Sequence, residues 1–405
     1  MNIYNVFDSI IIGAGLAGLS AASHLQEFRV LLLERESLLG GRIVTRSFDG
    51  KAYDLGAVLG YDPGYLPFAF SPPAPIAEKG QIGLLSEGRV YLGDSVAACL
   101  QAAFPGPSQE LATMLALQAG NIEIHALSPK ARNVLNAFFQ VIHPGEIEDY
   151  LPAFQAHAFF RYRPVHYPDG NGGLIQAYLE RIRARVECGA EVISIQKTGQ
   201  HICLSFKQHG QVMEAHARSV IVATPAPIAA ALVPDMREQC RRFLQAVCYG
   251  RFTVAALGLC RFSCEQDFSY IVTPALPATT IYKMTFPGSA MTILLFYYCD
   301  RASKAYWQAS DEDLITLTKE CAARAGLKIV EPDLLFTDVA RWEHGGTIIS
   351  PEMYSDWNAD ALQPVPGIYL AGDYLYRDFP YGMEAAVRSG IEIAQQVRSF
   401  LRRKL

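Results

Sequence analysis

Gly13, Gly15 and Gly18 stand in a GxGxxG pattern, with Ala14 inside it. The chemistry this spacing serves is the binding of a dinucleotide pyrophosphate. Gly13 permits a tight turn, Gly15 lets the backbone approach the phosphates, and Gly18 lets a helix pack closely on a strand. A helix N-terminus following such a loop offers free N–H groups and the positive end of its dipole. Glu34 falls about 20 residues beyond the first glycine, where an acidic side chain accepts ribose hydroxyls.

The flanking residues are those that must position such a loop. Residues 8–13 (DSIIIG) form a β-branched run that reads as a buried parallel strand. Residues 19–25 carry Ala and Leu at helical spacing, and residues 30–33 read as a second buried strand ending in Glu34. Strand, loop, helix, strand and acid in that order predict an α/β fold with a Rossmann-type βαβ unit. The fingerprint alone serves NAD(H) and FAD equally.

The rest of the composition narrows the classes. A chain of 405 residues, half of them hydrophobic and 19% charged, has core material for two domains. A formal charge of −5 gives no pull toward nucleic acid. Nine cysteines without a CxxC pair read as buried thiols of a reducing compartment, and no metal-ligand spacing stands out, so no metal is expected. Residues 10–22 are apolar enough to imitate a signal peptide, but no Lys or Arg precedes them and glycines punctuate them. A cytoplasmic location is expected. No nucleophile elbow or GxxxxGK[ST] loop is present.

Further segments favour FAD, through a resemblance. Glu34-Arg35 leads into Leu39-Gly40-Gly41-Arg42, which resembles the second dinucleotide motif of the flavin-containing amine oxidase superfamily. That superfamily includes amine oxidases, protoporphyrinogen oxidases and plant-type carotenoid desaturases. Tyr53-Asp54-Leu55-Gly56-Ala57 resembles the family's turn near the flavin ring. Residues 367–373 (GIYLAGD) resemble its strand ending in AGD, and residues 381–390 (YGMEAAVRSG) the helix whose first amides face the flavin pyrimidine. Residues 191–195, 201–206, 212–217 and 219–225 resemble its β-meander and return strand, with the Val192 backbone at the adenine. The resemblance implies a GR2-like, discontinuous FAD-binding domain from residues 1–60, 168–235 and 351–405. Residues 61–167 and 236–350 would form a mixed α+β substrate domain. It also implies that Gly13, Ala14, Gly15, Gly18, Glu34, Arg35, Gly41, Arg42, Gly56, Ala57, Val192, Gly372, Asp373 and Met383 hold FAD.

Three departures bear on the reaction. Amine oxidases of the family often carry a lysine near flavin N5, where residues 249–259 place Val254. They flank the flavin with two tyrosines, one just before the Met-Glu of the final helix; here Gly382 stands there, with Tyr381 one residue earlier. Relatives with covalent flavin use a cysteine after a glycine pair, where this chain has Thr347, so noncovalent FAD is implied. Residues 371–390 look closer to the desaturases. The expected activity is hydride abstraction to flavin N5 from a C–C or C–N bond of a small lipophilic substrate. Amine oxidation with H₂O₂ release and a non-enzymatic flavin protein are the alternatives. A single fingerprint leaves dioxygen or a quinone as electron acceptor.

Tyr381, Gly382, Trp342 and Lys283 are the substrate-facing candidates; no catalytic residue is assigned. The plainer reading of Lys283 is a solvated lysine on a strand edge. For Trp342 it is core packing, and for His344 a partly buried hydrogen-bonding role. Residues 61–75, rich in Pro and aromatics, form either an entrance loop or an ordinary connection. Arg398, Arg402, Arg403 and Lys404 could touch an anionic membrane, but cations complementing the end of the last helix are the favoured reading.

Overall fold

The computed structural model describes residues 6–57, 76–77, 80–106, 108–120, 123–159, 165–357, 362–378 and 382–403. The apolar run after Val6 becomes the strand Phe7–Ile12, which pairs in parallel with Val30–Leu33 on one side and with Gln211–Val222 on the other. Ile10 and Ile11 are fully buried, as a strand covered on both faces requires. Arg185–Glu187 extends this sheet beyond Val30–Leu33. Its far side is an antiparallel meander of Glu191–Thr198, His201–Gln208 and Gln211–Val222.

Two runs expected to be separate, 212–217 and 219–225, belong mostly to one twelve-residue strand. Its first half pairs with His201–Gln208. Its second half pairs with Phe7–Ile12 and with Ile368–Leu370. One continuous strand therefore joins the meander to the parallel sheet.

A second seven-stranded sheet runs in the order Leu334–Ile348, Cys248–Leu259, Thr292–Cys299, Thr280–Thr285, Phe268–Val272, Gln81–Ser86 and Arg89–Gly93. All its pairings are antiparallel except that of Phe268–Val272 with Gln81–Ser86. One face packs on Tyr53, Leu55 and the helices of residues 96–159, and the other on the helix Asp311–Arg324. A small hairpin, Thr45–Phe48 with Lys51–Asp54, leads from the glycine-rich end of the first sheet into that core.

The helix Leu16–Ser23 and the C-terminal helix Gly382–Arg402 lie side by side in the same direction. Gly390 sits against Ala17, Arg398 donates to the His24 carbonyl at 2.7 Å, and Arg402 pairs with Glu27. Both N-termini are thereby brought to one end of the parallel sheet. Arg398 and Arg402 thus hold the C-terminal end of the first helix and the residues after it, with Glu27 as their shared anion. Lys404 lies outside the described residues. No helix among the described residues is long and apolar enough to cross a membrane.

A Cβ on Gly390 would meet the Ala17 carbonyl oxygen at 2.3 Å and Ser20 Cβ at 2.9 Å, so the helices touch through backbone. Gly390→Ala is expected to destabilise the protein by about 1–3 kcal/mol, the cost of overpacking a tight contact. A urea midpoint equal to that of the wild type would show that the helices can separate without cost.

Candidate cofactor and active site

At the end of Phe7–Ile12 the chain turns at Gly13, whose φ is +100°. A Cβ on Gly18 would lie 1.9 Å from the Gly13 carbonyl oxygen, so only glycine lets this helix start so close to the strand. The Gly15 Cβ direction is open, with Gly41 Cα the nearest atom at 4.0 Å. Gly15 also bridges to Gly40, and the Gly40 N–H donates to the Ala14 carbonyl at 2.9 Å. The two glycine segments from the sequence therefore lie side by side. Gly15 is the N-cap of Leu16–Ser23 and makes no side-chain cap. Among the described residues no side chain caps its first amides, as an anionic group approaching the loop requires.

Glu34 is buried, and both its oxygens are used. One accepts the Ala14 N–H at 2.7 Å and the other the Glu36 N–H at 2.9 Å. It braces the glycine loop directly, a role its position as a ribose acceptor did not foretell. The Ala190 N–H donates to the Glu34 carbonyl at 2.8 Å, which draws the half-buried Val192 and its β-bulge toward this end of the sheet. Arg35 lies apart: it is exposed and pairs with Glu36.

Arg42 reaches across the chain. Its Nη2 lies 2.8 Å from Asp373 Oδ1, and its Nη1 donates to the Gly345 carbonyl at 3.3 Å. Asp373 is almost wholly buried, and its other oxygen accepts from Thr347 Oγ1 at 3.4 Å. The Gly372 N–H is held by Ser389 Oγ at 3.0 Å. Gly382 (φ +83°) opens the C-terminal helix, and Met383 is buried beside it. Tyr381 lies outside the described residues, as do residues 61–75.

The turn at Gly56 and Ala57 rests on the same arginine segment, since Ala57 N–H donates to the Arg42 carbonyl at 3.1 Å. A Cβ on Gly56 would strike that carbonyl oxygen at 2.0 Å and Trp342 Cζ2 at 3.1 Å. Trp342 Nε1 donates to the Leu55 carbonyl at 2.7 Å, so its ring is fixed against this turn. Phe252 lies 6.1 Å from the Trp342 ring and an equal distance from Tyr297. Val254, fully buried, is two residues along the same strand face. His344 packs edge-on against Tyr249 at 5.1 Å. Burial and the nearby Asp373 push the Tyr249 phenol well above its ordinary range, while its oxygen accepts from Ala226 N–H.

Lys283 differs from its expected setting. Its strand is flanked on both sides, and the ammonium pairs with Asp267 at 2.9 Å over the Phe268 ring. None of these partners belongs to the glycine cluster. Ser389, Tyr249 and the Glu34–Ala14 bond escaped the sequence reading, because each depends on a contact between distant segments.

The glycine cradle, the uncapped helix start and the Arg42–Asp373 pair fit a dinucleotide with a pyrophosphate at Gly15. Residues 115–398 match the family model of flavin containing amine oxidoreductases, and residues 11–65 that of an NAD(P)-binding Rossmann-like domain. The chain belongs to the flavin containing amine oxidoreductase family. It is an FAD-dependent oxidoreductase. The fold of this oxidoreductase is similar to that of cyclohexylamine oxidase from Brevibacterium oxydans IH-35A, at 15% identity and a TM-score of 0.78 over 98% of this chain and 100% of that one. A protein provisionally assigned as protoporphyrinogen oxidase from Exiguobacterium sp. 255-15 gives 16%, 0.76, and 98% of both chains. Putrescine oxidase bound to putrescine gives 17%, 0.74, and 98% of this chain and 99% of that one. No curated protein sequence matches the chain.

Beside the cradle lies a buried carboxylate with no cation paired to it among the described residues. Asp54 accepts from the Thr45 hydroxyl and from the Asn171 N–H at 3.0–3.1 Å, and Asn171 Nδ2 donates to the Ala57 carbonyl. Burial outweighs these bonds and pushes the Asp54 carboxyl up to about 6. The folded protein then binds this proton more tightly than the unfolded chain, so the stability it confers is present below its ordinary value of 3.8 and is lost as pH rises toward about 6. Asp54→Asn should remove that decline. Urea unfolding of both proteins from pH 4.5 to 7 checks it, and parallel pH profiles would count against a buried, uncompensated Asp54.

Proposed function

We propose that this enzyme oxidises a C–C or ring C–N bond of a small, lipophilic substrate, acting as a dehydrogenase or desaturase. Residues 1–60, 168–235 and 351–405 would hold the cofactor, and residues 61–167 and 236–350 would shape the substrate side. Bound FAD supplies the two-electron chemistry, accepting hydride at N5. Gly13, Ala14, Gly15, Gly18 and Glu34 would seat its ADP half, with Gly41, Arg42, Gly372 and Asp373 along the pyrophosphate and ribityl. Gly56, Ala57 and Met383 would border the ring, and the backbone at Val192 the adenine. Thr347 directs its hydroxyl to Asp373, which supports a noncovalent cofactor.

The observation that carries the substrate class is the wall next to Gly56. Trp342, Phe252 and Tyr297 pack ring to ring there, and Val254 is buried two residues along the same face, where a flavin-facing lysine was expected in an amine oxidase. An ammonium moved against such a wall loses hydration without gaining a partner, whereas a neutral hydrocarbon or ring gains from burial. What these residues contribute is exclusion of water and orientation of the reacting C–H bond. Dioxygen or a quinone would then reoxidise the cofactor.

One observation favours the second reading, amine oxidation. Asp338 lies on the same face of its strand as Trp342, between Phe336 and Ala340, where a carboxylate would attract a cationic amine. It already accepts from Tyr53 OH at 3.0 Å and lies 3.9 Å from Arg46, so its charge is largely answered.

Anaerobic mixing with polycyclic, isoprenoid and amine substrates tests the assignment through loss of visible flavin absorbance. Reduction by neutral lipophilic donors is expected, and reduction by amines alone would replace this reading with the second. Arg42→Ala should weaken FAD binding by roughly tenfold or more, the worth of one charge-assisted hydrogen bond. Titration of apoprotein with FAD measures it; an unchanged dissociation constant would remove Arg42 from the cofactor site.

A further inference from the structure

No metal was expected from the spacing of histidines and cysteines along the chain, yet the meander brings three ligand types together. His209 and Gly210 both have positive φ (+49° and +76°) and form a two-residue hairpin turn between His201–Gln208 and Gln211–Val222. That turn fixes the register: Gln208 faces Gln211, Ser205 faces Glu214, and Cys203 faces His216. Ile202, Leu204, Phe206, Ala215 and Ala217 point into the core, so Cys203, Glu214 and His216 share the opposite face.

Cys203 Sγ, a Glu214 carboxylate oxygen and a His216 ring nitrogen all lie within 4.8 Å of one another, and each residue is half-buried. Among the described residues none of the three side chains makes a hydrogen bond or ion pair. Arg218, the next cation along the face, is engaged by Asp8 and by the Leu401 carbonyl. Tetrahedral zinc with sulfur at about 2.3 Å and nitrogen and oxygen at about 2.0 Å needs ligand atoms roughly 3.3–3.6 Å apart. Closing from the present separation takes about 1 Å of side-chain movement on a rigid hairpin, within reach of the flexible Glu214.

We propose that Cys203, Glu214 and His216 form a site for zinc(II) or a similar borderline divalent ion, with water in the fourth position. One soft, one borderline and one hard donor, all monodentate and converging, suit zinc better than calcium or magnesium, which take oxygen ligands in larger numbers. The site lies on the outer face of the meander, away from the glycine cradle, and its occupancy is independent of the flavin reaction.

Chelator-treated holoprotein titrated with cobalt(II) and then zinc(II) tests the site. One cobalt per chain is expected, with a near-ultraviolet thiolate-to-cobalt charge-transfer band in the difference spectrum, displaced by zinc. Cys203→Ser should abolish that band, and His216→Ala should weaken binding on the order of 100-fold or more, since even supporting residues of metal sites cost 10–100-fold. Cys264→Ser, which removes an exposed thiol elsewhere, should leave both unchanged. FAD content monitors folding of each variant, and Glu214→Gln takes the place of any substitution that lowers it. No stoichiometric binding, a band that survives Cys203→Ser, or affinity indifferent to His216 or Glu214 would each overturn the site.

Discussion

One ion pair with a buried carboxylate ties distant segments together at the glycine-rich end of the first sheet. Arg42 leaves the second glycine segment near the chain start and meets Asp373, at the end of a strand near its finish. Gly345 and Thr347, from the long strand of the other sheet, complete the set. Removing the cation from such a pair would leave an uncompensated buried charge, which is strongly destabilising. Three segments far apart in sequence thus meet at this carboxylate. The first sheet is likewise assembled from segments far apart in sequence, with Phe7–Ile12 and Ile368–Leu370 both paired to Gln211–Val222.

The same region is crowded with backbone. Gly18 against Gly13 and Gly56 against Arg42 leave no room for a Cβ, while Gly15 faces open space. Close approach makes the cradle, and Glu34 stiffens it by holding the Ala14 N–H. Beyond it, Trp342 is anchored to Leu55 and packs on Phe252, whose ring in turn meets Tyr297. A polar cradle thus lies beside a cluster of aromatic rings.

Much of the cradle was legible because its signals are local. A GxGxxG between a β-branched run and an Ala/Leu helix reports its own geometry, and so do Gly41-Arg42 and the AGD segment. What escaped depends on register and on contacts between segments. Lys283 looked like an edge lysine, but which strands flank 280–285 cannot be read from that stretch. The convergence of Cys203 with His216 was readable in principle, once His209-Gly210 is taken as a two-residue turn. Spacing along the chain hid it, because a hairpin folds thirteen residues of separation into a cross-strand pair. Tyr381, the tyrosine expected to face the flavin, lies outside the described residues.

The most direct test of the account is the cofactor content of the purified protein. A yellow protein carrying one FAD per chain, all of it released to the supernatant on acid denaturation, is the predicted result. A colourless protein that takes up no FAD, or flavin that stays with the precipitate, would contradict the cradle described above.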